Sequence, residues 1–323
     1  MTVHEHLREL HALPAHDFVP PGGGTGAAES RPAAGSVAWR LSHDPYREDS
    51  PAEDFEDLWR GFLATVDTTG VRALIIGQWG EAYDRDSGFV VEMLTSAADR
   101  FPALEAVFIG DLVMEEAEIS WIEQSDVTPV LEAYPRLREF GVRGGSGLVF
   151  RPVRHEHLRT LAFEAGGLPA AVVRAVAECE LPALRQLEMW LGVSTYGGDA
   201  TVEDLAPILA GDRFPALRSL GLKNSELQDE IAAAVAGAPV VARLHTLDLS
   251  MGTLTDTGAE ALLGGQPLTH LAQLDLGHHF LSDAMMERLR EELGGAGVDV
   301  DLSGQEKPDE YDGEVWRYVA VSE

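Results

Sequence analysis

Residues 244–281, LHTLDLSMGTLTDTGAEALLGGQPLTHLAQLDLGHHFL, state one pattern twice. Leu244, Leu247 and Leu249 form L-x-x-L-x-L, and Leu271, Leu274 and Leu276 repeat it 27 residues later. Each copy is followed by another leucine at one offset, Leu254 or Leu281, then Thr-Asp or Ser-Asp, then an apolar run with helical spacing. Alternation at the end of the triplet suits a strand, and the following run suits a helix, so the stretch predicts one strand and one helix per repeat.

Weaker copies extend the pattern in both directions. They are Val71, Leu74, Ile76; Leu104, Val107, Ile109; Leu137, Phe140, Val142; Leu158, Leu161, Phe163; Leu184, Leu187, Met189; and Leu217, Leu220, Leu222. A last strand is expected at Val300 and Leu302. Successive first positions lie 33, 33, 21, 26, 33, 27 and 27 residues apart. Most steps have room for a helical return, such as DEIAAAVAG with Ile231 and Val235, or SDAMMERLREEL with Met286, Leu289 and Leu293. The step of 21 does not, which predicts a loop or short turn between Leu137 and Leu158.

These residues resemble the leucine-rich repeat superfamily, on its ribonuclease-inhibitor-like branch. The resemblance covers about residues 71–304. It implies an α/β fold: a leucine-rich repeat solenoid, or horseshoe, with parallel strands on the concave face and mostly helical returns. Family members bind other proteins on that face and its rims. The chain is also similar to a group of uncharacterised bacterial leucine-rich repeat proteins, a likeness that lends no mechanism. One departure matters. The family's asparagine or cysteine, three residues past the last motif leucine, falls here on Gly145, Gly166, Gly192, Ser225, Gly252 and His279. The family's hydrogen-bonded ladder must therefore be absent or built from other groups.

Four regions are expected. Residues 1–35 are a flexible lead-in, because VPPGGGTGAAESRPAAG is too rich in Pro and Gly to pack. Its GGGTGA lacks the preceding strand and the G-K-[ST] of a phosphate loop. Residues 36–70 form a cap: a strand at Val37, Trp39 and Leu41, then a helix in SPAEDFEDLWRGFLATV with Ser50 as its cap and Pro51 in the first turn. Residues 71–304 are the array, and 305–323 an acidic linker with a strand or covering flap.

Composition narrows the function. The 323 residues carry 54 acidic and 24 basic side chains, a formal charge of −30, which disfavours nucleic acid and favours basic proteins, basic peptides and cations. No run approaches a membrane span. The charged start MTVHEHLRELHALPAHDF is unlike a signal peptide, and the lone Cys179 suits a reducing compartment, so a cytoplasmic location is expected. Cys179 reads as a small buried hydrophobe.

Side chains alternate across a strand, so the neighbours of the motif leucines face away from the core. On that face Phe108, Arg143, Glu188 and Trp190 stand out, and the face reads apolar and aromatic early but acidic late, at Asp248, Asp275, Asp299 and Asp301. The three long steps insert residues just after strands, in GQWGEAYDRDSG, GDLVMEEAEISWIEQSD and WLGVSTYGGDAT. Parallel strands place these insertions on one rim. They supply Trp79, Tyr83, Glu118, Trp121, Glu123, Asp126, Tyr196 and Asp199. Together these residues predict an aromatic and acidic surface for a protein or peptide. The competing reading folds Trp79 and Trp121 back as plugs.

No catalytic group, metal site or cofactor is expected. His278 and His279 are adjacent on a strand and face opposite ways, and Ser146 in GGSGL lacks the G-x-S-x-G arrangement. The alternative function is a metal-dependent accessory protein or enzyme using carboxylates of loop 111–126, although that loop lacks the calcium-loop spacing D-x-[DN]-x-[DN]-G.

Overall fold

The computed structural model describes residues 3–20, 31–47 and 52–323. The GGGTGA motif, Ser50 and Pro51 lie outside the described residues. Two compact units divide the chain, 3–150 and 151–323. The boundary falls in the 21-residue step, where residues 144–159 form no helix. The architecture is mixed α/β, with twelve mostly parallel strands, six in each unit and paired in sequence order within each.

In 3–150 the strands are β1 (Glu9–Leu10), β2 (Leu13–Asp17), β3 (Ala38–His43), β4 (Ala73–Trp79), β5 (Ala106–Ile109) and β6 (Glu139–Arg143). From β2 onward all run parallel, and the motif positions Leu74, Val107 and Phe140 sit side by side. The helices are α1 (Phe55–Thr65), α2 (Gly88–Ser96) and α3 (Thr128–Ala133). Asp54 caps α1, its Oδ1 accepting from the Asp57 N–H at 2.7 Å. Phe55, Leu58, Trp59 and Phe62, spaced i, i+3, i+4, i+7, are buried, and Trp59 and Phe62 stack with Phe101.

The second unit repeats the plan with β7 (Thr160–Glu164), α4 (Ala170–Glu178), β8 (Gln186–Gly192), α5 (Val202–Leu209), β9 (Ser219–Ser225), α6 (Gln228–Ala236), β10 (Thr246–Asp248), α7 (Asp256–Gly264), β11 (Gln273–Asp275), α8 (Asp283–Glu292) and β12 (Asp299–Asp301). Leu161, Leu187, Leu220, Leu247, Leu274 and Val300 align across all six strands. These pairings match the alignment read from the leucine spacing. A one-residue slip would turn each leucine to the opposite face, so burial locks the register.

An aspartate ladder joins successive repeats where the asparagine is missing. Asp229, at the start of α6, accepts from the Thr255 N–H at 2.8 Å, the Thr255 hydroxyl at 2.5 Å and the Gly258 N–H at 3.1 Å. Asp256 accepts from the Ser282 N–H at 2.8 Å, and Asp283 from the Gln305 amide at 3.1 Å. These carboxylates stand at helix N-termini, where the dipole favours negative charge. Part of the chain's acidity is therefore structural.

Residues 3–20 are not a free lead-in. β1 and β2 form a hairpin closed by His11 and Ala12, both left-handed at φ 57° and 54°. β2 then pairs with β3, so β3 is an inner strand and not the first of a cap. At the other end the expected acidic linker holds a second hairpin, β13 (Asp309–Tyr311) with β14 (Glu314–Trp316), turned by Asp312-Gly313. No helix among the described residues is long and apolar enough to cross a membrane.

Candidate functional site

The outward sheet face of 3–150 is apolar and covered. Leu7, Leu10 and Leu13 pack on Ala38, Ala73, Ile75, Ala106 and Phe108. Phe108 is 4% exposed and lies across Gly141 of the next strand. The expectation of an accessible Phe108 and Arg143 is thus corrected: the N-terminal hairpin fills the space that outward aromatic and aliphatic side chains leave. Arg143 is buried, with Nη1 donating to the Leu112 carbonyl at 2.7 Å and lying 3.5 Å from Asp111 Oδ1.

Asp111, fully buried, organises this cover. It accepts from Arg40 Nε at 2.8 Å and from the Leu7 N–H at 3.0 Å, and Arg40 also donates to the Leu7 carbonyl. Burial alone would raise its carboxyl, but bonds from His6 and Leu7, with Arg143 and Arg40, hold it below the usual range. His6 contacts Asp111 and lies 3.5 Å from Glu116; the Asp111 bond raises its imidazole above the ordinary value. His11 lies 3.4 Å from both Glu105 and Glu139. Of the 111–126 loop's carboxylates, Asp111 is therefore held by arginines, Glu116 accepts from the Val113 N–H, and Asp126 accepts from the Thr128 N–H at the start of α3.

The rim of this unit is partly plugged. Trp79 is buried and donates to the Arg85 carbonyl at 2.9 Å, so its place on an accessible rim is also corrected. Glu123, half-buried, bonds through its backbone to Ala82 and Ser87, joining the loops after β4 and β5. On these loops Tyr83 and Trp121 are exposed, Trp121 at 57%, beside half-buried Glu118. The Tyr83 hydroxyl lies 2.9 Å from that of Tyr46.

In 151–323 the equivalent face is open. Thr160, Ala162, Glu164, Trp190, Asp248 and Asp301 are half-buried and Gln186, Gln273 and Asp299 exposed. Asp248, Asp275 and Asp301 are direct neighbours on β10, β11 and β12, about 4.8 Å from strand to strand. Each accepts the backbone N–H two residues on, from Ser250, Gly277 or Ser303, at 3.0, 2.9 and 2.8 Å. Burial raises the Asp275 carboxyl, and Asp248 and Asp301 raise it further. Lys223 reaches Asp248 at 3.1 Å and Glu188 at 3.4 Å. Burial opposes its charge, yet these two carboxylates push its pKa up to about 12. Trp190 donates to Glu188 at 2.7 Å, with the Lys223 ammonium 5.6 Å from its ring centroid. Of the remaining candidates, Asp199 caps α4 through the Ala170 N–H, and Tyr196 bonds Glu323.

The repeated Leu/Val-Asp-Leu-Ser/Gly at 247–250, 274–277 and 300–303 carries this aspartate row in the sequence, where strand alternation already sets it on the outward face. The histidine pair serves two turns: His278 meets the Tyr318 carbonyl at 2.9 Å, and buried His279 the Leu302 carbonyl at 3.2 Å. Cys179 is buried, and its thiol is pushed up to about 11 by desolvation.

Fold and site together define a mixed α/β protein of in-register strand-and-return repeats, one unit self-covered and one carrying an open acidic face. Among solved structures, it is similar to a Bacteroides fragilis protein determined by the Northeast Structural Genomics Consortium. The two are 32% identical, the match covers 77% of this chain and 70% of that one, and the TM-score is 0.73. The chain belongs to the family of that protein. No family model matches the chain, and no curated protein matches it.

Proposed function

We propose that the chain is a cytoplasmic leucine-rich repeat solenoid of the ribonuclease-inhibitor-like branch, a horseshoe that holds a basic protein or peptide without catalysing a reaction. The contact surface in this reading is the outward, concave strand face of 151–323, with Trp190 as its aromatic anchor and Glu164, Glu188, Asp248, Asp275 and Asp301 as its charge. One observation carries the reading: Asp248, Asp275 and Asp301 stand side by side on adjacent strands of that face, close enough to raise the Asp275 carboxyl, with Lys223 bridging Asp248 to Glu188 at one end of the row. Nucleic acid would be repelled by the same field. Attraction of this kind weakens with salt, because the screening length falls from about 8 Å at physiological strength to about 3 Å at 1 M.

Affinity capture from the native cell tests it, with wild type, Trp190→Ala and Trp121→Ala in parallel. A partner retained by Trp121→Ala, lost with Trp190→Ala and released by salt is expected. Loss only with Trp121→Ala would move the site to the exposed rim of 3–150, and equal capture by both folded variants would sink the assignment.

A further inference from the structure

At the ends of β9, β10 and β11 the chain turns through an unusual backbone. Asn224, Met251 and His278 occupy one position in three successive repeats and are left-handed, at φ 55°, 69° and 55°, without being glycine. Such a conformation is uncommon for a side-chain-bearing residue, and most disfavoured for bulky ones. Residues 317–323, Arg-Tyr-Val-Ala-Val-Ser-Glu, lie along these turns in reverse order. His278 Nε2 meets the Tyr318 carbonyl at 2.9 Å, and the Ala320 N–H donates to the Met251 carbonyl at 2.8 Å. The fully buried Asn224 amide takes both backbone groups of one residue: its Oδ1 accepts from the Val321 N–H at 2.9 Å, and its Nδ2 donates to the Val321 carbonyl. Glu323 then accepts from the Tyr196 hydroxyl. Val319, Ala320 and Val321 are all buried by this contact.

Four of these five contacts use the segment's backbone, and the apolar side chains they seat are small. Arg317 adds a second feature, since it lines a cleft of about 250 Å³ with Glu226, Asp229 and Glu230. The hairpin just before it exposes Tyr311, Val315 and Trp316, so the neighbouring residues do little to hold the segment down. Opening therefore requires breaking a few hydrogen bonds and wetting three small residues, the low-stability end of local unfolding.

We infer that these turns form a groove for an extended peptide segment with a basic residue, then Val-Ala-Val or similar small apolar residues, then an acid, and that the chain fills the groove with residues 317–323 until such a segment of a partner protein displaces them. The segment is held across the ends of three strands, chiefly through its own backbone, by the Asn224 amide, the Met251 carbonyl and the His278 ring, so main-chain bonds supply the affinity and shallow pockets the selectivity. The groove is separate from the acidic face proposed above and does not depend on it.

The test uses the full chain and a fluorescent synthetic peptide of residues 317–323, read by anisotropy. In the wild type the tethered segment competes at high effective concentration. Val321→Pro removes the N–H that meets Asn224, and Ala320→Pro the N–H that meets Met251. Each should bind the peptide about ten-fold more tightly than wild type, since freeing the competent state removes its population penalty. A peptide with Pro at the Val321 position should not bind. Folded variants with no gain, or equal binding of the Pro peptide, overturn the proposal. Should both variants lose their circular dichroism, the wild type still decides: excess peptide should speed amide exchange at Ala320 and Val321 in the chain, and unchanged exchange overturns the groove. A concentration-dependent dimer of the wild type would seat a second copy's segment there and overturn the partner assignment.

Discussion

Gly141 on β6 and Gly221 on β9 hold the same place in their repeats, yet a Cβ added at each would meet different surroundings. At Gly141 it would stand 2.4 Å from Phe108 Cδ2, inside a packed layer. At Gly221 its nearest neighbours would be Glu188 Cγ at 3.3 Å and Lys223 Cδ at 3.4 Å, in side chains bordered by solvent. One sheet architecture thus supports a second apolar core in 3–150 and an open charged surface in 151–323. The strands do not differ in kind. What differs is whether their outward residues are Ile75 and Phe108, which gain by being covered, or Asp248, Asp275 and Asp301, which lose hydration when they are.

The largest expected contrast comes from truncating the aromatic on each face. Phe108→Ala should destabilise by about 3–5 kcal/mol, the usual range for a buried phenylalanine. Trp190→Ala, on the open face, should change stability by about 1 kcal/mol. Denaturant unfolding measures both, and equal losses would break the distinction between the faces. Next, Gly141→Ala should cost about 1–3 kcal/mol through overpacking, whereas Gly221→Ala should stay within about 0.5 kcal/mol because its neighbours can shift.

Near neutral pH, the covered unit should show its pH dependence where the N-terminal hairpin is fastened. His6 is raised by its bond to Asp111, and Glu116 and Glu139 are raised by burial. A raised pKa in the fold stabilises below the unfolded value and loses that contribution as pH rises through the folded value. Arg40 opposes the protonated His6, but the Asp111 and Glu116 carboxylates outweigh it. The Leu7 amide should therefore exchange more slowly at mildly acidic pH than above the ordinary histidine value of about 6.5. An exchange free energy that does not fall with rising pH would rule out the histidine contacts as fasteners. The smallest effect is expected at Asp275→Asn, which keeps an acceptor for the Gly277 N–H while removing a charge crowded by Asp248 and Asp301. It should stabilise by under about 1 kcal/mol at neutral pH, after solvent screening, and by less as pH falls toward the carboxylate range.

The core side of the array was legible throughout. Strand register, the missing helix in the short step, and helices α6 and α8 follow from residue spacing, because burial against a helix layer demands leucines at fixed intervals. The functional side was legible only in part. Tyr83 and Trp121 are exposed on their loops, but Trp79 turned inward, and Asp199 proved to be a helix cap. Whether an aromatic on a loop plugs or projects depends on the space beneath it, which no local pattern encodes. The β13–β14 turn did carry a sign, Asp312-Gly313, the commonest pairing for a two-residue hairpin. The β1–β2 turn carried none, since His11-Ala12 lacks the Asn or Gly that left-handed backbone prefers.

By itself, then, the sequence determined the repeat: which residues face the helices, how strands align, and that the surface is acidic. Only the tertiary structure decided which outward face is covered. The contacts that hold the hairpin in its strained turn join residues about a hundred positions apart, as His6 does with Asp111. Their free energy exists only once the strands beneath have assembled, so nothing in the local sequence of residues 3–17 could announce it.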